Sequence, residues 1–253
     1  MSDPALAISG LSAGYGGALI VKDFSLTVQP GAITAIVGPN GAGKSTVMKA
    51  VLGILRPSQG SVSVNGVNVT GDSIAKMAGH GVGYVPQVRN IFPSLSVEDN
   101  LTLGAYGQGK SVIHDRLENM LALFPDLVNA RKRAAGKLSG GQRNMLATAR
   151  ALMSEPHVLL LDEPTAGLSP RYTDVVWEHI TKVRASGVGV LVVEQNTRRA
   201  LSYADWACVL ALGEKKLEGT GANLLQDPEV TELYIGRASH SHGNDNDNDG
   251  SAS

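Results

Sequence analysis

The chain has 253 residues, with 22 Lys plus Arg against 23 Asp plus Glu and a formal net charge of −1. That length can bury a sizeable core in one or two domains, and the balanced charge excludes the strong basic field of a nucleic-acid or anionic-lipid binder. A single cysteine, Cys208, excludes a disulfide framework and fits a reducing compartment.

The opening MSDPALAIS has neither a basic region nor an apolar stretch, so no secretory signal is expected. Residues 6–11 and 24–28 read as short strands among turns. Residues 33–37 form an apolar run expected to be a buried strand. It ends in GPNGAGKST, comprising Gly38, Pro39, Asn40, Gly41, Ala42, Gly43, Lys44, Ser45 and Thr46. A strand, a glycine-rich turn and a helix starting near Lys44 make a phosphate cradle. Backbone N–H groups point inward, and the helix N-terminus adds partial positive charge. In such a loop Lys44 reaches the β- and γ-phosphates, and the Ser45 hydroxyl ligates Mg²⁺.

Residues 61–69, SVSVNGVNV, predict a hairpin turning at Asn65–Gly66. Residues 83–86 are a short strand followed by Gln87. From 96 to 152 no strand signal occurs. SVED at 96–99 predicts a capping box, and 111–123 and 142–152 follow as helices. Val88, Ile91, Phe92 and Leu95 are expected to be core on base rates, or else a groove for a partner. ARKRAAGK at 130–137, with Arg131, Lys132 and Arg133, is expected to be a solvated loop. Ser139, Gly140, Gly141 and Gln142 of LSGGQ form a second helix start able to meet an anion, with Ser139 as N-cap. One chain needs only one such start for its own nucleotide.

Residues 157–161 predict a buried strand ending in Asp162 and Glu163. Carboxylates at the C-terminal edge of a parallel strand lie where open α/β sheets bind ligands. Asp162 is expected to hold Mg²⁺, and Glu163 to orient or deprotonate the attacking water. Ser169 before Pro170 predicts an N-cap and first helical residue. Strand 188–193 leads through Glu194 to Gln195, and Cys208 lies in an apolar strand as a buried small hydrophobe. Strands alternating with helices imply a mostly parallel sheet of α/β class. The tail 237–253, ASHSHGNDNDNDGSAS preceded by Arg237, is polar and expected to be disordered. No apolar run approaches the roughly 20 residues that span a bilayer.

The order phosphate loop, Gln87, LSGGQ, LLLDE, AGLSP and Glu194-Gln195 resembles the ATP-binding cassette (ABC) ATPases over residues 6–236. AGLSP, VEQN and the ending ELYIGR are similar to the ATP-binding subunits of branched-chain amino acid importers. The resemblance implies a P-loop NTPase fold with a RecA-like core, an antiparallel β subdomain and an inserted helical subdomain at about 88–155. It implies one ATP-binding domain over 1–236. It implies ATP and Mg²⁺ as cofactors, with Tyr15 stacking on adenine. Gln87 joins Ser45 and Asp162 at the metal, and residues 139–142 contact the opposite subunit's nucleotide. Glu163, Lys44 and Gln195 are its catalytic candidates. Gln195 stands where most of the family has histidine, and Ser169 where it has aspartate.

The implied partners are a homologous cassette, transmembrane permease subunits and an extracytoplasmic solute-binding protein, with no nucleic acid. The implied place is the cytoplasmic face of the membrane, as a peripheral subunit. An importer of urea or short amides, and a soluble non-transport ABC ATPase, are the alternatives. The second is disfavoured by the absence of a long coiled coil between the nucleotide motifs. An Asn-Lys-x-Asp guanine motif is absent too, which disfavours a GTPase.

Overall fold

Short runs of Val, Ile and Leu build a parallel sheet covered on both faces. The computed structural model describes residues 3–235. The chain opens with β1 (Leu6–Tyr15), β2 (Ala18–Val28) and β3 (Ile33–Val37), followed by α1 (Lys44–Val51). Then come β4 (Gln59–Val64), β5 (Val67–Asn68), α2 (Ile74–Gly79) and β6 (Val82–Val85). Next follow α3 (Val97–Gly104), α4 (Lys110–Leu123) and α5 (Gly140–Leu152). The chain continues through β7 (Val158–Asp162), α6 (Pro170–Ala185), β8 (Gly189–Glu194) and α7 (Thr197–Tyr203). It finishes with β9 (Trp206–Ala211), β10 (Glu214–Gly219), α8 (Gly221–Gln226) and α9 (Pro228–Ile235).

Six strands form one sheet in the order β10-β9-β3-β8-β7-β6. All neighbours from β9 to β6 pair in parallel. Because side chains alternate along a strand, the sheet feeds two cores. Ile33, Ala35, Val37, Leu159, Leu161, Val190 and Val192 join the cluster containing α3, α4, α5 and α6 residues such as Leu101, Leu121, Leu146 and Trp177. Ile36, Leu160, Leu191, Val193 and Cys208 face the other way, onto Val47 and Met48 of α1 and onto the second sheet. That sheet is antiparallel, in the order β2-β1-β4-β5.

The strand at 33–37, the Ser96 capping box, the Asn65–Gly66 hairpin and buried Cys208 stand as expected. Other expectations need correction. β1 and β2 run well past 6–11 and 24–28 to meet at a Gly16–Gly17 turn, so Tyr15 ends β1. The register of this pair shifts after Ile8, Leu11 and Ala13. Those shifts break the period-2 pattern that signals a strand. Ser169 caps α6 by position, but its side chain makes no cap hydrogen bond.

The cluster at 131–133 is not simply solvated. Arg131 donates to Glu98 of α3 at 3.0 Å and to Glu118 of α4 at 2.8 Å, and Lys132 also pairs with Glu98. Val88 and Phe92 are exposed at 69% and 49%, against the core expectation, whereas Ile91 packs on the helical-side core. The tail at 237–253 lies outside the described residues.

Candidate active site

Four adjacent parallel strands deliver the singled-out residues to one sheet edge. In parallel strands all C-terminal ends point the same way, so β3 releases the phosphate loop beside β8, which releases Gln195. β8 neighbours β7, which ends in Asp162, and β7 neighbours β6, which leads to Gln87. This edge is where open α/β sheets bind ligands.

The loop 38–46 passes directly into α1, whose N-cap is Gly43 with φ 107° and no side-chain cap hydrogen bond. Only glycine adopts that angle without strain, and a Cβ there would come within 3.0 Å of Val21 Cγ2. The first N–H groups of a helix lack intrahelical partners. No cap side chain takes them here, which suits an anion at the helix end. Lys44 is buried, and its ammonium donates to the carbonyls of Gly38 at 2.7 Å and Pro39 at 3.1 Å. Burial lowers its pKa, while Glu163, Glu194 and Asp162 oppose that shift. Tyr15 flanks α1, with Lys49 Nζ 5.8 Å from its ring centroid and 3.4 Å from its hydroxyl. Its ring is half exposed, a surface open to stacking.

Asp162 ends β7, the strand that pairs with the Tyr84-bearing β6. Burial chiefly, with the adjacent Glu163 charge, raises the Asp162 pKa, and Lys49 and Lys44 oppose it. Tyr84 is pushed up to about 12 by burial, by the Asp162 charge and by its hydrogen bond to Asp162. Glu163 has φ 47°, a left-handed backbone for a non-glycine residue, and its N–H donates to Val193 O at 2.9 Å. Such strain is held only where the surroundings fix it, and it clusters at functional sites. Here it turns the side chain away from the strand, where Oε2 accepts from Gln87 Nε2 at 2.8 Å.

At α5 the Ser139 hydroxyl accepts from Gln142 N at 3.3 Å and Gln142 Oε1 accepts from Ser139 N at 3.2 Å. Sequence reading assigned Gln142 to the nucleotide; the structure spends its side-chain oxygen on this reciprocal cap. Gly141 makes room for Tyr172, whose Cδ1 would lie 2.7 Å from a Cβ there.

Two residues were missed as parts of the site. Asn144 Nδ2 donates to Pro164 O and its Oδ1 accepts from Asn90 Nδ2 at 3.1 Å, joining three segments. Glu194, 2% exposed, accepts three hydrogen bonds from Thr165 and Gln195. A charged residue closing an apolar strand was the visible signal for Glu194; for Asn144 there was none.

The oxygen donors fit a hard divalent cation. Mg²⁺ is usually held by one or two carboxylates plus substrate phosphates, not by a full protein cage. Among the described residues no cluster of three His, Cys, Asp or Glu could hold a metal. Ser45 is exposed at the start of α1, Asp162 supplies a carboxylate, and the Gln87 amide leaves its carbonyl oxygen beyond the Glu163 bond.

A buried lysine, a helix start free of caps and an acid pair on one sheet edge define a nucleotide-phosphate hydrolase of the α/β type. Residues 21–166 match the family model described as ABC transporter. The chain is 40% identical over 227 residues to the "Probable branched-chain amino acid transport ATP-binding protein LivF" of Archaeoglobus fulgidus, covering 89% of this chain and 96% of that one. It is 38% identical to the "High-affinity branched-chain amino acid transport ATP-binding protein BraG" of Pseudomonas aeruginosa, covering 91% of this chain and 99% of that one. An exporter component, the "Lipopolysaccharide export system ATP-binding protein LptB" of Escherichia coli, is 34% identical and covers 91% of this chain and 97% of that one. The ADP conformation of MJ1267, an ATP-binding cassette of an ABC transporter, superposes with TM-score 0.82 at 28% identity, covering 93% of this chain and all of that one. The chain therefore belongs to the ABC transporter ATP-binding family. It is an ATPase of the P-loop type, and ATPases of this family serve membrane permeases. Among the described residues no helix is long and apolar enough to cross a membrane.

Proposed function

We propose that this chain is the motor subunit of an importer for branched-chain amino acids, bound to the cytoplasmic face of the membrane through its permease partners. The observation that carries the chemistry is the common edge of β3, β8, β7 and β6. The solute is supported by the higher identity to LivF and BraG than to the export relative.

The loop 38–46 binds the ATP phosphates, and Tyr15 stacks on adenine. Ser45, Asp162 and Gln87 would hold Mg²⁺, which would supply neutralising charge at the phosphoryl oxygens. Lys44 leaves the loop carbonyls to reach the β- and γ-oxygens. Glu163, oriented by Gln87 and by its own backbone bond to Val193, positions the attacking water and takes its proton. Gln195 donates its amide to the γ-phosphate. Residues 139–142 complete the nucleotide site of a second cassette, so two cassettes close over two ATP molecules. The helical stretch 88–155 forms the subdomain that meets the permease, with exposed Val88 and Phe92 as the contact.

The test is reconstitution with candidate permease and solute-binding subunits in vesicles. Leucine-stimulated, ATP-dependent uptake is the expected result. Stimulation by urea or short amides instead, with none by leucine, would replace the solute while leaving the ATPase reading in place.

A further inference from the structure

Glu194 lies at the end of β8, 2% exposed, and makes no contact that requires a nucleotide. Its Oε1 accepts from Thr165 N at 3.0 Å and from Thr165 Oγ1 at 2.6 Å. Its Oε2 accepts from Gln195 N at 3.1 Å. Thr165 follows the Glu163 turn and opens the loop Ala166–Ser169, and Gln195 is the first residue beyond the neighbouring strand β8. Glu163, Thr165, Gly167, Leu168, Glu194 and Gln195 line one cleft of about 360 Å³. One buried carboxylate thus joins the two segments that bound this cleft.

We propose that Glu194 is a positioning residue that clamps the 163–169 loop to Gln195, fixing the distance between the water-orienting carboxylate and the phosphate-facing amide. A carboxylate is required because three donors converge on it, and an ionised carboxylate accepts at both oxygens. Glutamine presents one acceptor oxygen and one NH₂ group. Whichever way its amide lies, the NH₂ faces a backbone N–H, either that of Thr165 or that of Gln195. One of those N–H groups then loses its partner in a buried place. The freed segment shifts, and small misplacements of reacting groups cost much of the rate. The loop 166–169 also leads into α6, so the clamp passes displacement of that loop to both Glu163 and Gln195.

The inference rests on the proposed role of Gln195, and the experiment separates the two. Steady-state ATPase, equilibrium Mg-ATP binding and thermal melting are measured for Glu194→Gln, Thr165→Val, Gln195→Ala and the double variant Glu194→Gln/Gln195→Ala. Glu194→Gln is expected to lower kcat about tenfold while KM and the ATP Kd stay within about twofold. Thr165→Val, which keeps the backbone N–H, is expected to lower it by a smaller factor. In the Gln195→Ala background the loss from Glu194→Gln is expected to shrink to about twofold, since coupled groups are not additive. Unchanged kcat in Glu194→Gln, a loss that multiplies undiminished in the double variant, or a loss matched by a fall in folded fraction would each overturn the clamp. An inert Gln195→Ala beside a slow Glu194→Gln would likewise overturn the clamp to Gln195, removing Gln195 from the reaction while leaving the rest of the ATPase reading in place.

Discussion

The Gln87 amide donates to Glu163 Oε2 at 2.8 Å across 76 positions of sequence. The bond spans the ends of adjacent strands β6 and β7, and it ties the carboxylate proposed to handle water to the first residue of the segment carrying exposed Val88 and Phe92. Any partner that displaces this segment also moves the group that orients Glu163. Gln87→Ala should therefore lower kcat about tenfold, the worth of one hydrogen bond to a charged group, and weaken binding of Mg-ATP more than of ATP without Mg²⁺, because Gln87 is also proposed to hold the metal. Steady-state kinetics beside equilibrium binding checks the split.

Much of this edge was legible in the sequence because its signals are local. Glycines, a lysine and a hydroxyl at fixed spacing define the phosphate loop, and apolar runs define the strands that carry it. Non-local pairs were not legible. Thr165 and Glu194 are 29 positions apart, and Asn90 and Asn144 are 54 apart. Asparagine in a helix or glutamate after a strand looks the same whether solvated or engaged. Phe92 was expected inside because isolated apolar residues usually are, with a partner groove as the other reading; Asn100, itself buried, holds both the N–H and the carbonyl of Phe92 and leaves the ring outside.

That exposed ring sets the next expectation. The Arg150 guanidinium lies 4.9 Å from its centroid, and little else in the core depends on it. Phe92→Glu should shift the melting temperature by less than about 3 °C, as surface changes do in domains of this size. It should reduce solute uptake in the reconstituted complex far more than basal ATPase. Scanning calorimetry and vesicle uptake, run on the same preparation, distinguish docking from packing.

Asp162 gives a pH-dependent signature. Burial and the neighbouring Glu163 raise its pKa in the folded chain, so folding disfavours the ionised form. Stability without nucleotide is then reduced as pH rises from the ordinary carboxylate value near 4 through the raised folded value, and the penalty is full above it. Asp162→Asn should raise the melting temperature at pH 7, with the gain fading as pH falls toward about 4 and absent below it. With saturating Mg-ATP the order should reverse, because the variant loses the stabilisation that ligand binding adds. Melting curves with and without nucleotide at both pH values provide the check.

Gln195 has no charge to offer, and a neutral donor stabilises developing phosphate charge less than a cation does. Gln195→His should raise kcat by up to about tenfold, corresponding to about 1–2 kcal/mol, and introduce a pH dependence near 6.5. A pH–rate profile reads both. At the second helix start, Ser139→Arg should lower hydrolysis by the assembled complex about a hundredfold, as loss of a phosphate-facing donor does, with this chain's own ATP affinity nearly intact.

The most direct measurement compares Lys44→Ala with Glu163→Gln, each in equilibrium Mg-ATP binding and in turnover. Lys44 is proposed to pair charge with phosphate, so its loss should weaken binding. Glu163 is proposed to handle water, so Glu163→Gln should bind ATP as the parent does and lower kcat by about 10² or more. Equal loss of binding in both variants, or parental turnover in Glu163→Gln, would contradict the division of labour between the loop at the end of β3 and the acid pair at the end of β7.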